Sequence, residues 1–272
     1  MERGTRSYWD GIAPGLRVAS PLGPGPDDLA WLGQRCAELR SPGGLRGLVL
    51  GITPDILALA WPAGAFITVV DWSRAMLRHR WPATAAAGVG VVVGDWRELP
   101  LDGGSLDFAC GDGSFTSLGN NANVPLVAAE VARALKPRAP LWLRCFVVPE
   151  RPPSPADLKA DLLAARIRSA ALFRGLLLVA LHARSPEGVV LDDAWAAWRK
   201  LFPDAGELRR ACGWSDDDVL GFERWRGKSM RYCFHSLRQL EEMTRRCFEI
   251  ERVDPPLHQY GECFPRITFR KG

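Results

Sequence analysis

The sequence lacks the motifs typical of a metal centre, a disulfide framework and a membrane span. Its seven cysteines form no CxxC pair and no cysteine–histidine zinc spacing, so no metal site is expected. Seven is also an odd number, which excludes complete pairing within one chain and favours a reducing, cytoplasmic location. The longest apolar run, residues 175–181, is too short to cross a bilayer. The N-terminus has no apolar signal-peptide region, so we expect a soluble protein with no membrane partner.

A strong excess or clustering of charge is also absent. There are 35 basic and 31 acidic residues, and the densest group of arginines is spread along a predicted helix. This distribution disfavours nucleic acid as a partner, because nucleic-acid-binding proteins concentrate Lys and Arg on one face. Hydrophobic residues make up 47% of the chain, which is enough for a substantial core.

Apolar runs alternate with helical patterns through the first half of the chain. The predicted strands cover residues 45–50, 66–70, 89–93, 106–110 and 140–148. The predicted helices cover residues 26–39, 73–80 and 124–135, with a further helix starting at Pro54. Buried strands separated by helices require a parallel sheet with helices on both faces.

The pattern changes after Pro152. Ser154 and Pro155 predict a helix start, from which an Ala/Leu/Arg-rich helix extends toward residue 183. We interpret residues 152–226 as a helical insertion, or cap, within a single domain that spans residues 1–272. Strand character returns at residues 248–253 and 266–270.

Four consecutive strand ends carry glycine or an acid, at the sheet edge where α/β proteins bind ligands. Gly51 ends the first strand and allows close backbone approach. Asp71 ends the second, twenty residues later, which is the separation expected of a carboxylate that holds a ribose diol. Gly94 and Asp95 end the third strand, where an acid can accept from an adenine amino group. Gly111 and Asp112 end the fourth.

The turn after the first strand predicts an anion site. Thr53 is expected to be an N-cap and Pro54 the first helical residue, so that free amides face the strand end. Such a helix start attracts a carboxylate or a phosphate.

The segments VLGITPD, VVDWS, VVVGDWRELPL, LDFACGDGS and ALKPRAPLWLRCFV resemble the motifs of class I S-adenosylmethionine-dependent methyltransferases. The resemblance implies a Rossmann-like α/β fold, a seven-stranded, mostly parallel sheet with an antiparallel C-terminal hairpin. It also implies S-adenosyl-L-methionine as the cofactor and S-adenosyl-L-homocysteine as the product. The cofactor-binding residues that it implies, with those from the strand ends, are Tyr8, Gly51, Thr53, Pro54, Asp71, Trp72, Met76, Gly94, Asp95, Trp96, Gly111 and Asp112.

Two positions depart from the family pattern. Val49 replaces an acid that commonly helps to hold the methionine amino group, and Thr53 replaces a glycine. Asp112 is a candidate for the missing amino-group contact. The alternative is a non-catalytic binding protein that has lost activity. A nicotinamide-dependent oxidoreductase is a further alternative, but the turn after Gly51 lacks the other two glycines of GxGxxG that admit a pyrophosphate.

Methyl transfer depends mainly on alignment, so a dedicated base is optional. The candidates for catalysis are His235, His258 and Arg144, although a structural role is equally compatible with each of them. The insertion is rich in aromatic residues, which favours a small-molecule acceptor methylated on oxygen or nitrogen. The same aromatic residues could instead form the core of the insertion or a homodimer interface. They are Phe173, Trp195, Trp198, Phe202, Trp214, Phe222 and Trp225.

Overall fold

A computed structural model describes residues 3–16, 18–185, 187–257 and 259–272. The strands in these residues are β1 (Arg46–Leu50), β2 (Phe66–Asp71), β3 (Val89–Val93), β4 (Phe108–Asp112), β5 (Pro140–Arg144), β6 (Val189–Val190), β7 (Arg231–Tyr232), β8 (Phe248–Asp254) and β9 (Arg266–Lys271). The helices are α1 (Arg3–Ile12), α2 (Pro26–Glu38), α3 (Pro54–Leu57), α4 (Arg74–Arg80), α5 (Asn123–Ala134), α6 (Pro155–Leu163), α7 (Ala170–His182), α8 (Leu191–Leu201), α9 (Ala205–Cys212), α10 (Asp216–Glu223) and α11 (Leu237–Thr244).

Seven strands form one sheet in the order β3-β2-β1-β4-β5-β9-β8. The first five strands of the chain run parallel, whereas β9 runs antiparallel to both β5 and β8. The chain order therefore reverses between β1 and β4. This topology confirms the predicted α/β class and its antiparallel C-terminal hairpin. A separate antiparallel pair is formed by β6 and β7.

The central parallel strands β1, β4 and β5 are buried on both faces because their alternate side chains enter two different cores. Leu48 and Leu50 of β1 pack into a core with helix α5, while Val49 between them packs on the opposite face with helix α2. Alternation of this kind follows from the two-residue period of a strand. Each strand in the centre of the sheet is therefore apolar along its length, and its polar residues come at its ends.

The region after β5 has a core of its own. Its buried members come from α6, α7, α8 and α10 and include Phe173, Trp198 and Phe222, each of them fully buried. That this region is a cap within one domain stays a prediction.

One long helix over residues 155–183 was a wrong expectation, because the helix is interrupted. Ala165 takes a left-handed conformation with φ of 56°, and the amide of Arg166 donates to Asp161 O. A new helix starts after Ser169, whose hydroxyl accepts from the amide of Leu172 at 3.2 Å. The serine side chain thus supplies the cap that α7 needs.

Two further boundaries differ from the prediction. The fourth strand begins at Phe108 and not at residue 106, since Leu106 forms an isolated bridge to Leu135. The fifth ends at Arg144, four residues early, because the chain beyond it turns to pair elsewhere, with Val147 bridging His235. In the described part of the chain, no helix is long and apolar enough to span a membrane.

Candidate functional site

A cavity of about 240 Å³ opens at the carboxyl edge of the parallel strands. Its walls come from the ends of β1, β2 and β4, from α1 and the loop after it, and from the helices that follow β5. The cavity lies across the point where the strand order reverses, which is where open α/β sheets place ligands. Of the predicted cofactor residues, it brings together Tyr8, Gly51, Thr53, Pro54, Asp71, Trp72, Met76, Trp96 and Asp112.

Gly51 forms the floor of the cavity with its backbone. Its φ of 92° lies in the left-handed region, which a glycine adopts without strain. A β-carbon at this position would lie 3.1 Å from the ring of Trp96 and 3.7 Å from Asp71 Oδ2. The Trp96 indole nitrogen donates to the carbonyl of Val70 at 2.6 Å, which holds the ring against the glycine. Any larger residue at position 51 would therefore crowd the site.

Asp71 is fixed in place by backbone amides. Its Oδ2 accepts from the amide of Ile52 at 3.0 Å and its Oδ1 from the amide of Ser73 at 2.8 Å. The carboxyl is 7% exposed, and burial raises its pKa above the ordinary value, while the amides of Ser73 and Ile52 oppose that rise. Since each carboxylate oxygen can accept more than one hydrogen bond, Asp71 retains capacity for hydroxyl donors in the cavity.

Helix α1 is attached to the end of β2 through a serine. Ser73 caps α4 by accepting from the amide of Met76 at 3.0 Å, and its hydroxyl donates to Asp10 Oδ1 at 2.6 Å. This link places Tyr8 and Trp9 of α1 in the wall of the cavity. The segment before the first strand therefore contributes to the site.

The helix after β1 is shorter than the sequence suggested. Thr53 does occupy the N-cap position, but its side chain makes no capping hydrogen bond, and α3 is a single turn of four residues. The amides of Ile56 and Leu57 are already bonded to the carbonyl of Thr53. The expected attraction of this helix start for an anion is accordingly weak.

Arg144 belongs to a buried ion pair and does not line the cavity. Its Nε donates to Asp112 Oδ1 at 2.6 Å, and Nη1 donates to the carbonyl of Pro21 at 2.6 Å. Burial raises the pKa of Asp112, and the guanidinium of Arg144 opposes the rise. Asp112 does reach the cavity, so Arg144 acts on the site only through this carboxylate.

Several other predicted residues lie away from the cavity walls. Gly94 and Gly111 are not among the lining residues, and Asp95 pairs with Arg97 at 2.7 Å. His235 is 2% exposed, with its Nε2 2.9 Å from Asn121 Oδ1, and it does not line the cavity either. His258 falls outside the described residues.

The aromatic-rich insertion was expected to contribute to the acceptor site, but sequence reasoning missed most of the residues with which the helices after β5 line the cavity. Here the lining includes Arg174 and Leu178 of α7, Gly221 of α10, Arg224, Trp225, and Tyr232 of β7. Of the aromatic residues expected to form a wall, only Trp225 lies there. Trp195 packs half-buried against the core, and the others fill it. The signal that was available is Arg174, a single arginine within an otherwise apolar helical segment, AALFRGLLLVAL.

Within the described residues, no cluster of three His, Cys, Asp or Glu side chains has the arrangement of a metal site. The chemistry that this cavity offers is therefore that of its carboxylates, guanidinium groups, hydroxyls and aromatic rings.

Residues 48–143 match the family model described as a methyltransferase domain. These residues include most of β1, all of β2 to β4 and most of β5, with the strand ends described above. No curated protein matches the sequence.

Solved structures of similar fold have low sequence identity to this chain. A SAM-dependent methyltransferase from Methanosarcina mazei is 16% identical, with a TM-score of 0.51 over 92% of this chain and 99% of that one. The N-methyltransferase NodS from Bradyrhizobium japonicum, solved with S-adenosyl-L-homocysteine, is 9% identical, with a TM-score of 0.52 over 98% of each chain. A Rhodobacter sphaeroides protein named after Zn-dependent alcohol dehydrogenases has a TM-score of 0.59 at 14% identity, over 100% of this chain and 99% of that one. These structures establish the fold.

Proposed function

Residues 48–143 carry a methyltransferase domain of the S-adenosylmethionine-dependent class I type, and we propose from this that the chain methylates a small molecule. The observation that carries the proposal is the placement of Asp71. Its buried carboxylate, at the end of β2, lines the same cavity as the backbone of Gly51, at the end of β1. The family match and the neighbour solved with S-adenosyl-L-homocysteine indicate S-adenosyl-L-methionine as the cofactor.

The residues at this end of the cavity fit that cofactor. The carboxylate of Asp71 would accept from the ribose hydroxyls, and Trp72 and Met76, beside it, would contact the adenine. Gly51 would pass under the ribose and methionine portions, where a β-carbon would occupy the space. When bound, the cofactor would supply an activated methyl group, whose carbon would bond to the acceptor lone pair while the C–S electron pair stays on sulfur.

The protein's own contribution is to align the acceptor and to exclude water. Alignment of two reactants in a closed site can supply several kcal/mol of the rate enhancement. None of the histidines in the described residues lines the cavity, so a histidine base is not part of the proposed mechanism.

Val49 cannot replace the acid that the family commonly has at its position. The side chain is fully buried in the core between the sheet and α2, on a face that does not reach the cavity. We therefore assign recognition of the methionine amino group to Asp112, which reaches the cavity at the end of β4, next to β1.

The two alternatives predict different ligands. A nicotinamide enzyme would have to pass a pyrophosphate over Ile52 and Thr53, whose side chains stand where GxGxxG would leave space. A non-catalytic binding protein would bind S-adenosyl-L-methionine without transferring the methyl group to any acceptor. No contact in the described residues favours either alternative. Cytoplasmic location and a homodimer stay predictions.

Replacement of Asp71 by alanine tests the assigned site. We expect Asp71→Ala to weaken binding of S-adenosyl-L-homocysteine by about 1–3 kcal/mol, because charge-assisted hydrogen bonds to the ribose are lost. Isothermal titration calorimetry with the wild type and the variant measures this difference directly. Wild-type affinity in Asp71→Ala would refute the ribose assignment, and binding of NADH in place of S-adenosyl-L-homocysteine would favour the oxidoreductase.

A matched control separates ligand binding from general destabilisation. Asp107 accepts from the amide of Arg46 at 2.8 Å, as Asp71 accepts from Ile52, but it lies at the opposite edge of the sheet. Asp107→Ala should leave the affinity for S-adenosyl-L-homocysteine unchanged. Asp71→Asn, which keeps an acceptor oxygen for one of the two backbone amides, should lose part of the affinity with a smaller change in stability than Asp71→Ala.

A further inference from the structure

The helical side of the cavity holds two guanidinium groups without a carboxylate partner. Arg174 and Arg224 both line the cavity, and neither forms an ion pair with any described residue within 4.0 Å. The Nε of Arg174 is buried and makes no hydrogen bond to the described residues. A buried guanidinium normally has an anionic or hydrogen-bonding partner, because desolvation of its charge is unfavourable.

The protein makes room for this guanidinium at some cost to helix α10. A β-carbon at Gly221 would collide with Arg174 Nη1, so glycine occupies a helical position where it is normally unfavourable. The guanidinium carbon of Arg174 lies 5.8 Å from the centre of the Phe222 ring, a cation–π contact that further orients the group. These contacts hold Arg174 at the cavity wall.

Tyr8 and Tyr232 complete this part of the wall as neutral hydroxyl groups. Their side chains hydrogen-bond each other, and both contribute to the electrostatic environment of Arg174. Burial raises the pKa of Tyr8 to about 12 and that of Tyr232 well above its ordinary value. Both therefore stay protonated at neutral pH. Since the Tyr232 hydroxyl donates to the Tyr8 oxygen, the hydrogen of Tyr8 is the one left to donate to an anion.

The acids and the helical-side cations of the cavity lie at different ends. The acids Asp55, Asp71 and Asp112 lie near the strand ends, with Arg80 of α4 on the same side. Arg174 and Arg224 lie on the helical side, where no acid is among the described lining residues. The electrostatic field of Asp218 on α10 does reach Arg174. Its Oδ2, however, accepts from the Ser215 amide at 2.9 Å and from the Ser215 hydroxyl at 2.8 Å, within the cap of its own helix.

An apolar surface adjoins the two arginines. Phe146, Phe234 and Trp225 line the cavity between the end of β5 and α10, and Phe146 stacks on Phe234 with ring centres 6.4 Å apart. Flat rings of this kind accept a planar apolar group by stacking or by edge contacts.

We propose that the methyl acceptor is a small carboxylic acid with a planar apolar body, whose carboxylate binds Arg174 and Arg224 while its body packs on Phe146, Phe234 and Trp225. The inference rests on the proposed function, since it assigns the acceptor of the same site. The planar, bidentate geometry of guanidinium groups suits a carboxylate. The methionine carboxylate of the cofactor is the other anion that enters such a site, and its binding to Arg174 would be seen as a loss of S-adenosyl-L-homocysteine affinity in Arg174→Met.

The test uses full-length protein saturated with S-adenosyl-L-homocysteine and three pairs of probes. Benzoate, phenylacetate and indole-3-acetate are each compared with the corresponding neutral amide by isothermal titration calorimetry. We expect at least one acid to bind at least tenfold more tightly than its amide. Arg174→Met and Arg224→Met should each reduce that preference to less than threefold, with the affinity for S-adenosyl-L-homocysteine changed by less than threefold.

Arg226→Met is the matched control, because Arg226 is exposed, lies two residues from Arg224 and does not line the cavity. It should keep the wild-type preference for the acid. Arg224 is itself exposed, so Arg224→Met carries the test if Arg174→Met fails to fold.

Three results would overturn the inference: no acid binding below 10 mM, equal binding of acids and amides, or a loss of S-adenosyl-L-homocysteine affinity in Arg174→Met as large as the loss of acid affinity. Failure of the proposed function has a different signature. In that case the wild-type protein would not bind S-adenosyl-L-homocysteine at all, whatever its preference among the probes.

Discussion

His182 and His235 are buried near each other beside the helical core, with 5% and 2% of their surface exposed. Burial lowers the pKa of each to about 4, and the proximity of His182 contributes to the shift at His235. Both pKa values lie below the ordinary value of 6.5, so the folded protein binds fewer protons than the unfolded chain between pH 4 and 6.5. Their contribution to stability is complete above pH 6.5 and is lost as the pH falls through 4.

Replacement of His182 should therefore reduce the pH dependence of stability. Each such histidine contributes a slope of up to about 1.4 kcal/mol per pH unit to the free energy of unfolding between pH 4 and 6.5. We expect His182→Leu to lower the wild-type slope by up to this amount. At pH 7 the variant should be as stable as the wild type, since Nε2 of His182 makes no hydrogen bond to the described residues. Urea unfolding at several pH values measures the slope.

His79 supplies the control for this experiment, because it is exposed on α4. The variant His79→Leu should keep the wild-type slope. An unchanged slope in His182→Leu would show that its imidazole ring is solvated in the folded protein, contrary to its burial.

Individual residues differ in how far the sequence could place them. Gly51 and Asp71 follow apolar strands directly, so their position at the sheet edge is determined by local pattern. The partner of Arg144 could not be assigned in the same way, because Asp112 is 32 residues distant in the chain and meets it only through the pairing of β4 with β5. Arg174 and Gly221 likewise lie 47 positions apart in sequence. They are close in space only because α7 packs against α10.

At the scale of elements, helix α11 was not predicted although its start has a recognisable signature. Ser236 accepts from the amide of Gln239 at 3.2 Å, and the Gln239 side chain accepts from the amide of Ser236 at 2.9 Å. This reciprocal pair is a capping box, for which Ser-x-x-Gln is a typical sequence.

Loss of this cap should destabilise the protein. We expect Ser236→Ala to lower the free energy of unfolding by about 1 kcal/mol, because the amide of Gln239 loses its acceptor. Chemical denaturation at pH 7 measures the change. Ser236→Asp, which restores an acceptor at the N-cap, should recover most of it.

Ser229→Ala is the control variant for Ser236→Ala. Ser229 is exposed, and its hydroxyl makes no hydrogen bond to the described residues. A loss in Ser229→Ala equal to that in Ser236→Ala would contradict the capping explanation.

At the scale of the whole molecule, the cavity joins segments that are distant in sequence. Tyr8 of the N-terminal helix, the strand ends from Gly51 to Asp112, and Trp225 near the end of the helical region share its wall. A ligand bound there contacts both the sheet and the helices, so it should stabilise them together.

Ligand binding should accordingly shift one cooperative unfolding transition. At a concentration one hundred times its Kd, S-adenosyl-L-homocysteine should raise the free energy of unfolding by about 2.7 kcal/mol. Far-ultraviolet circular dichroism and tryptophan fluorescence should report the same shift in a urea titration. Two separated transitions, of which the ligand moves only one, would show that the helical region and the sheet unfold independently.

The sequence by itself determined the sheet, because buried parallel strands require continuous apolar runs. These runs end in the glycine and the acids that lie at the carboxyl edge of the sheet. The sequence's resemblance to class I methyltransferases also indicated the class of cofactor. Only the tertiary structure decided the helical side of the cavity. There α7, α10 and β7 bring together Arg174, Gly221 and Tyr232 from separate parts of the chain, and side-chain packing over such separations leaves no periodic pattern in a single sequence.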